Sequence, residues 1–479
     1  MGLTKNFAYS SILIVSNYIS PLIVFPYISR VLGVTNIGIC SFVDSIINYF
    51  ILFSMLGISA VGIRETAAVK TDKDKLNEVF SSLITLNGLL TIAFLGIFII
   101  CTLFISKFSE YQDLLYIGSF KLLFNFLLME WLYTGLEDFK YITLRSIFIK
   151  LLYICAVFLF VREEDDYDIY FALTVLSVVV NAAVNIIRSR YYVSYKFSMI
   201  SLKKYLKSDI ILGLYMILTA MYTTFNIIFL GFVSTNDEVG YFSTAYKLII
   251  IVLSVYTAWT NVVMPRVSSL YSDGGKKQFN NFIEKSISVL LCLSIPIIIL
   301  CLVFSNEILL LVVGVGYEKA SVSFQILTLL IFIIGYSQIM VMQVLIPIKA
   351  DKQLIFIAAV SAGLGLLINI CIVPLLKSVG TSISWISSEL CVLIMAQFFI
   401  AKRTGIKFPI NRFLQNVIAY LPALLICILI KHFVSPTFFL NLILASLFVL
   451  VYLLLIQSLY LKNPFVITWL NVLRDKYLK

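Results

Sequence analysis

Histidine is almost absent from this chain of 479 residues. The single His432 has no partner motif around it, so a metal centre is not expected. Eight cysteines are present, at 40, 101, 155, 292, 301, 371, 391 and 427, but none forms a CxxC pair. All lie in apolar runs, where they read as small helix-packing residues rather than redox or metal ligands. No glycine-rich loop ending in Lys-Ser/Thr occurs, so an ATP-driven pump would need a separate subunit. The largest deficit is charge: 13% of residues are charged, 61% are hydrophobic and the mean hydropathy is +1.01. A soluble domain carries roughly a quarter charged residues, so this composition belongs in lipid. Residues 6–29, 79–106, 210–236, 320–348, 353–376 and 433–461 contain no charge at all. A bilayer core of about 30 Å needs roughly 20 apolar residues per helix, which these runs supply. They lack the apolar/polar alternation of barrel strands. The first run is flanked only by Lys5 and is too long for a cleaved signal peptide, so it is expected to remain as the first helix.

What is present is an all-α polytopic pattern. Fourteen helices are expected at 7–29, 38–60, 79–105, 114–134, 143–161, 169–188, 208–232, 240–265, 284–305, 321–347, 354–376, 380–401, 414–431 and 436–461. With the N-terminus in the cytoplasm, 27 of the 36 Lys and Arg residues fall in cytoplasmic tails, loops and the adjoining helix ends, where Arg145, Arg188 and Lys285 lie. Only Arg30, Lys107, Arg162, Lys319, Lys377 and Lys431 fall outside, and Lys121, Lys150 and Lys247 fall within helices. Basic residues are retained on the cytoplasmic side during insertion, which favours this orientation for both termini. The net charge of +11 then reflects insertion and attraction to anionic lipid, not nucleic acid. The loops are short, so any chemistry or transport must occur within or between helices.

The chain repeats itself after about 202 residues. LGVTNIGICSF at 32–42 is matched by LGFVSTNDEVGYFSTAYKL at 230–248, and Gly38 and Arg64 have the same spacing as Gly240 and Arg266. Six helices separate the copies, and an even number preserves direction. Parallel repeats of this kind place the substrate path between the halves. The expected organisation is an N-terminal lobe at 1–207, a C-terminal lobe at 208–401 and two appended helices with a tail at 402–479.

Ionisable groups inside the membrane are costly and mark function. Here they are Asp44, Lys121, Glu130, Lys150, Lys247 and Glu389. Asp44, Lys121 and Lys247 each lie six or seven residues past the outer start of a helix, about 10 Å deep at 1.5 Å per residue. Asn125 shares a helix face with Lys121, and Asn48 with Asp44, by i,i+4 spacing. The two lysines could line a cationic cavity, or snorkel to headgroups; Lys150 and Arg188 lie near cytoplasmic ends, where snorkelling is the expected behaviour. Asn181 and Asn185 are expected to join helices by hydrogen bonds. Arg30 breaks the charge trend outside, and its guanidinium fork suits phosphate oxygens. Arg64 and Arg266 are repeat-equivalent candidates for an inner gate or a phosphate contact, and equally ordinary basic flanks. Asp44, Glu130 and Glu389 could carry protons if transport is ion-coupled, or be neutralised by neighbouring lysines.

Several segments together resemble one family. PYISRVLG at 26–33, LGISAVGIRETA at 56–67, EWLYTGLEDFKYITLRS at 130–146, VGYFSTAYKL at 239–248 and MPRVSSLYS at 264–272 resemble the Wzx-type polysaccharide flippases. Lipid II flippases and multidrug/cation antiporters are in the wider superfamily. The resemblance implies a bacterial inner-membrane protein that moves an undecaprenyl-diphosphate-linked oligosaccharide, the repeat unit of an O-antigen or capsule, between leaflets. It implies two six-helix lobes with a cationic interior; such work needs no covalent catalysis and no cofactor, and protons or sodium are the candidate ions if transport is coupled. Partners would be membrane lipids and other polysaccharide-assembly proteins. The matching motifs contain Arg30, Arg64, Glu137, Arg145, Lys247 and Arg266. Many relatives are similar in having an acidic residue on helix 7, where this chain has Asn226. The rival readings are a drug or cation antiporter of the same fold, which should favour an acidic pocket, and a polysaccharide polymerase or ligase, which should carry a sizeable outer loop.

Overall fold

The computed structural model describes residues 3–272, 275–433 and 438–477. Apolar runs leave backbone groups that only internal hydrogen bonds can satisfy in lipid, and the chain answers with helix after helix. They are α1 (Leu3–Met55), α2 (Ile58–Val69), α3 (Lys73–Phe104), α4 (Ser106–Ser109), α5 (Gln112–Asn125), α6 (Glu130–Gly135), α7 (Phe139–Phe160) and α8 (Tyr167–Tyr192). There follow α9 (Leu202–Thr223), α10 (Phe225–Val233), α11 (Asn236–Ser272), α12 (Lys276–Val303), α13 (Ser305–Val312), α14 (Ala320–Thr328) and α15 (Leu330–Gln338). The chain ends in α16 (Asp351–Thr404), α17 (Ile410–Phe433), α18 (Phe438–Leu455) and α19 (Pro464–Tyr477), with π-helical turns at Ile339–Leu345 and Ile456–Tyr460. Among the described residues there is no β-strand.

Eleven helical stretches of the described residues are long and apolar enough to cross a membrane. Two of them contain a hinge instead of a loop. Gly33 (φ 71°) bends α1 between the expected first and second helices, and only glycine takes that conformation without strain. Lys377 (φ 50°) bends α16 between the expected eleventh and twelfth. The second half of α1 also stops early, at Met55, because Leu56 turns left-handed (φ 42°) before α2 begins. The exposed apolar side chains form lipid-facing stripes, such as Leu89, Ile92, Ile100, Leu103 and Phe104 on α3.

The chain divides into two compact units, Met1–Ser243 and Thr244–Lys479. In the first, α1 packs on α3, α5 and α7, and α5 packs on α8. One buried cluster there holds Ile58, Val61, Leu83, Trp131 and Leu132. The helices α9 and α10, expected from the sequence to open the second lobe, pack on α1 in this unit. The contact is close because of small residues: a Cβ on Gly57 would lie 2.7 Å from Leu212, and one on Gly213 would lie 2.6 Å from Leu56. In the second unit α12 packs on α14, α15, α17 and α18, while α14 and α15 pack on α16.

Candidate functional site

The repeat identified in the sequence meets itself in space within the first unit. A Cβ on Gly38 would fall 1.9 Å from the Asn236 carbonyl oxygen, and a Cβ on Gly240 would fall 2.2 Å from the Val34 carbonyl oxygen. Residues 34 and 236 are themselves repeat equivalents, so the two clashes are one contact seen from both sides. Such reciprocity is the signature of a twofold relation. The Thr35 hydroxyl donates to Asp237 Oδ1 at 2.5 Å, again between residues 202 apart. Tyr111 donates to Asn236 Oδ1 at 2.8 Å beside it. Bare backbone at both glycines permits the approach, and the threonine–aspartate bond fixes it.

Deeper in the same unit lie the charged groups of the expected polar layer. Lys121 Nζ is 2.5 Å from Asp44 Oδ1, and Asn48 donates to Asp44 Oδ2 at 2.9 Å. Both carboxylate oxygens are therefore engaged. Lys121 keeps 16% of its side chain exposed and Asp44 38%. Lys121 thus neither snorkels nor stands as a lone cation; it is neutralised by the acid expected beside it. Asn125 turns away and donates to Met55 Sδ.

A second network closes a break in the helices. Met129 is left-handed (φ 45°) between α5 and α6, which leaves the Leu128 carbonyl without a helical partner. Asn185 of α8 donates its amide to that carbonyl. Arg145 of α7 in turn donates to Asn185 Oδ1 and, at 2.7 Å, to Glu130 Oε1. Tyr141 donates to the same Asn185 oxygen at 2.9 Å. The Arg145 side chain is only 3% exposed, while Glu130 is 57% exposed. The planar fork of arginine spans two acceptors at once, so Arg145 braces the helix break rather than reaching into an open site. Asn185 joins helices by hydrogen bonds as expected, whereas Asn181 donates to the Ser177 carbonyl of its own helix.

Lys150 does not snorkel: it bonds Ser16 Oγ at 3.2 Å and Asn17 of α1. Arg188 is likewise held, 3.6 Å from Asp138 and stacked among the rings of Tyr141, Tyr191 and Tyr192. Arg64 pairs with its neighbour Glu65 at 2.9 Å on an exposed face. Arg30 is exposed at the bend of α1, and Asn226 is fully buried, donating to the Tyr222 carbonyl at 2.9 Å. In the second unit Lys247 is half-buried on α11 and Glu389 is buried on α16. Among the described residues no ion pair involves Glu389. The Arg266 side chain lies outside the described residues.

One acid escaped the sequence reading. Asp209 is fully buried, and neither carboxylate oxygen has a hydrogen-bond partner. The expected helix began at 208, which put Asp209 at a solvated end. The helix in fact starts at Leu202, so Asp209 sits two turns inside it. Its i−4 neighbour Tyr205 belongs to the apolar cluster, and that i,i+4 pairing was the available signal.

Residues 3–271 match the family model described as polysaccharide biosynthesis protein. A protein of Escherichia coli (strain K12) named "Putative O-antigen transporter" is 24% identical over 404 residues, covering 84% of this chain and 97% of that protein. The "Probable low-salt glycan biosynthesis flippase Agl15" of Haloferax volcanii is 24% identical over 196 residues, 40% of each chain. Among solved structures, the lipid II flippase MurJ in an inward closed conformation superposes with a TM-score of 0.75 at 16% identity, covering 95% of this chain and 99% of that one. An inward-facing multidrug resistance transporter of the MATE family superposes with a TM-score of 0.62 at 11% identity, covering 81% and 94%.

Proposed function

The chain belongs to the polysaccharide biosynthesis protein family, and from that premise we propose that it is a flippase for a lipid-linked oligosaccharide. The substrate class is an undecaprenyl-diphosphate-linked repeat unit, carried from the cytoplasmic to the outer leaflet of a bacterial inner membrane. A diphosphate and its sugars cannot cross hydrocarbon unaided, because the charge must stay hydrated or paired. A polar path for the head, with the polyprenyl tail left in lipid, removes that barrier without any bond being made or broken. The relatives named as an O-antigen transporter and a glycan flippase support this reading over a drug antiporter or a polymerase.

The observation that carries the mechanism is the reciprocal Gly38–Gly240 contact. Charge sorting assigns the hinge of α1 and the start of α11 to the outer face, so we read the contact as an outer gate in its closed state. Alternating access then requires the two repeat copies to part there. Arg30, Arg64, Lys247 and Arg266 are the proposed diphosphate contacts; Asn125, engaged with Met55 Sδ, is not among them. Lys121 and Arg145 leave that set because each is largely buried as well as paired, with Asp44 and Glu130, whereas the Arg64–Glu65 pair is exposed and screened by water. We assign ion coupling to Glu389, which has no ion pair among the described residues, in preference to Asp44 and Glu130, which are paired with Lys121 and Arg145.

The test is reconstitution in vesicles with a fluorescent lipid-diphosphate oligosaccharide whose leaflet is read by a membrane-impermeant quencher. Acceleration over empty vesicles is expected. No acceleration by folded protein in the presence of a proton or sodium gradient removes the flippase reading.

A further inference from the structure

The second unit contains a two-part slot that the flippase reading does not use. Its polar part is a cavity of about 410 Å³ where α12 and α17 meet the π-helical turn at Ile456–Tyr460. Lys285, Arg412 and Lys462 line it, with Glu284 as the one carboxylate. Arg412 and Glu284 are 3.0 Å apart and both more than half exposed, a pairing that water screens. The floor is a buried amide network. Gln457, fully buried, donates to Asn416 Oδ1 at 3.0 Å and accepts from Asn463 at 3.0 Å, and Asn463 also donates to the Ser288 carbonyl. At the rim Lys462 is left-handed (φ 49°), an uncommon state for a residue other than glycine, between Leu461 and Asn463, whose backbone N–H groups donate to the Ile456 and Gln457 carbonyls.

The apolar part continues along the same two helices. A cavity of about 540 Å³ is lined without any polar surface, by residues that include Ile295, Ile299, Phe332, Leu390 and Leu421. Tyr420 lines it and accepts a hydrogen bond from Gln457 at 3.4 Å, which ties the two parts together. From Ser288 to Ile295 is seven residues of helix, a step of about 10 Å. A cluster of cations at the basic end of the helices, with a hydrocarbon-lined slot beginning about 10 Å deeper, has the layout of one lipid molecule.

We propose that this slot binds an anionic phospholipid, with the phosphate among Lys285, Arg412 and Lys462 and an acyl chain in the apolar cavity. Basic pockets between membrane helices on the cytoplasmic side bind anionic headgroups for this reason. The amides of Asn416 and Asn463 lie within the same pocket, so the headgroup meets hydrogen-bonding groups as well as charge. The proposal stands independently of what the protein transports, because none of these residues is among the proposed diphosphate contacts.

Native mass spectrometry of the full chain in detergent tests it, with phosphatidylglycerol, phosphatidylcholine and undecaprenyl diphosphate each added separately. Phosphatidylglycerol is expected to bind in preference to phosphatidylcholine. Each of Lys285→Gln and Lys462→Gln should weaken it about fivefold, the loss expected for one basic residue near anionic lipid. Both side chains are exposed, so these single variants retain the fold; adding Arg412→Gln should abolish the preference. Equal binding of the two phospholipids, or binding unchanged in both single variants, overturns the proposal. Charge-dependent binding of undecaprenyl diphosphate with none of phosphatidylglycerol also overturns it, and assigns the pocket to the transported lipid instead.

Discussion

Replacing Gly38 by alanine should open the outer contact. The added Cβ would lie 1.9 Å from the Asn236 carbonyl oxygen and 2.9 Å from the Gly240 nitrogen. Backbone on both sides cannot rotate away as a flexible side chain would. Ordinary contact begins near 3.4 Å, so the segments must separate by about 1.5 Å. Overpacking of this kind costs about 1–3 kcal/mol, and here it falls only on the closed arrangement. A two-state equilibrium should therefore shift about 5- to 150-fold toward the parted form. The reporter is Val239→Cys, at a fully buried position next to Gly240, in a background without the eight native cysteines. Labelling by a membrane-impermeant maleimide from the outer face should rise in Gly38→Ala and in Gly240→Ala. Gly96→Ala is the control, since a Cβ there meets nothing within 4 Å. Labelling equal to that control in both variants refutes the gate, because a shift of about 5-fold or more toward the parted form must appear as faster labelling.

Lys121→Met should strand the Asp44 carboxylate. Breaking a buried pair costs about 3–5 kcal/mol, and the partial exposure of Asp44 reduces this to about 1–3 kcal/mol. Thermal unfolding in detergent should show most of the loss recovered in the Lys121→Met/Asp44→Asn double variant; additive losses would show that the two groups are not coupled. Arg145→Lys keeps the charge but loses the fork, and should raise amide hydrogen exchange around Met129 at an expense of about 1–3 kcal/mol. Unchanged exchange there would contradict the bracing role. Glu389→Gln should fold normally yet transport at a rate independent of the ion gradient, whereas retained gradient dependence would move the coupling site elsewhere. Asp72 caps α3 and its carboxyl is held below the usual range by hydrogen bonds from the Lys75 side chain and backbone. A depressed carboxyl stabilises above its ordinary value and loses that contribution as pH falls through its folded one. Exchange in the first turn of α3 should rise on acidification, and Asp72→Ala should abolish that dependence.

The membrane class was legible because it rests on composition alone. Runs such as 79–106, without one charge, have no alternative but helix in lipid. The repeat was legible because Gly38 and Gly240 recur with their surroundings. Helix ends were less so: the break at Leu56 and the start of α9 at Leu202 depend on local turns that hydropathy averages over. That error hid Asp209. The hinge at Lys377 carried no signal, since lysine does not announce a left-handed turn.

The polar residues divide on the same physical ground. Hydropathy and charge sorting sufficed to place Asp44 and Lys121 inside helices, because depth is a one-dimensional property of the chain; Glu130, expected inside the fourth helix, instead opens α6 after the break at Met129. Whether each is paired is a property of three dimensions. Asp44 meets Lys121 across 77 positions and Arg145 meets Asn185 across 40, contacts set by which helix faces pack together. The sequence by itself therefore determined the medium, the helices and the repeat. Only the tertiary structure decided that two cations expected to await a substrate are neutralised, and that the repeated glycines, far apart in the chain, touch in space.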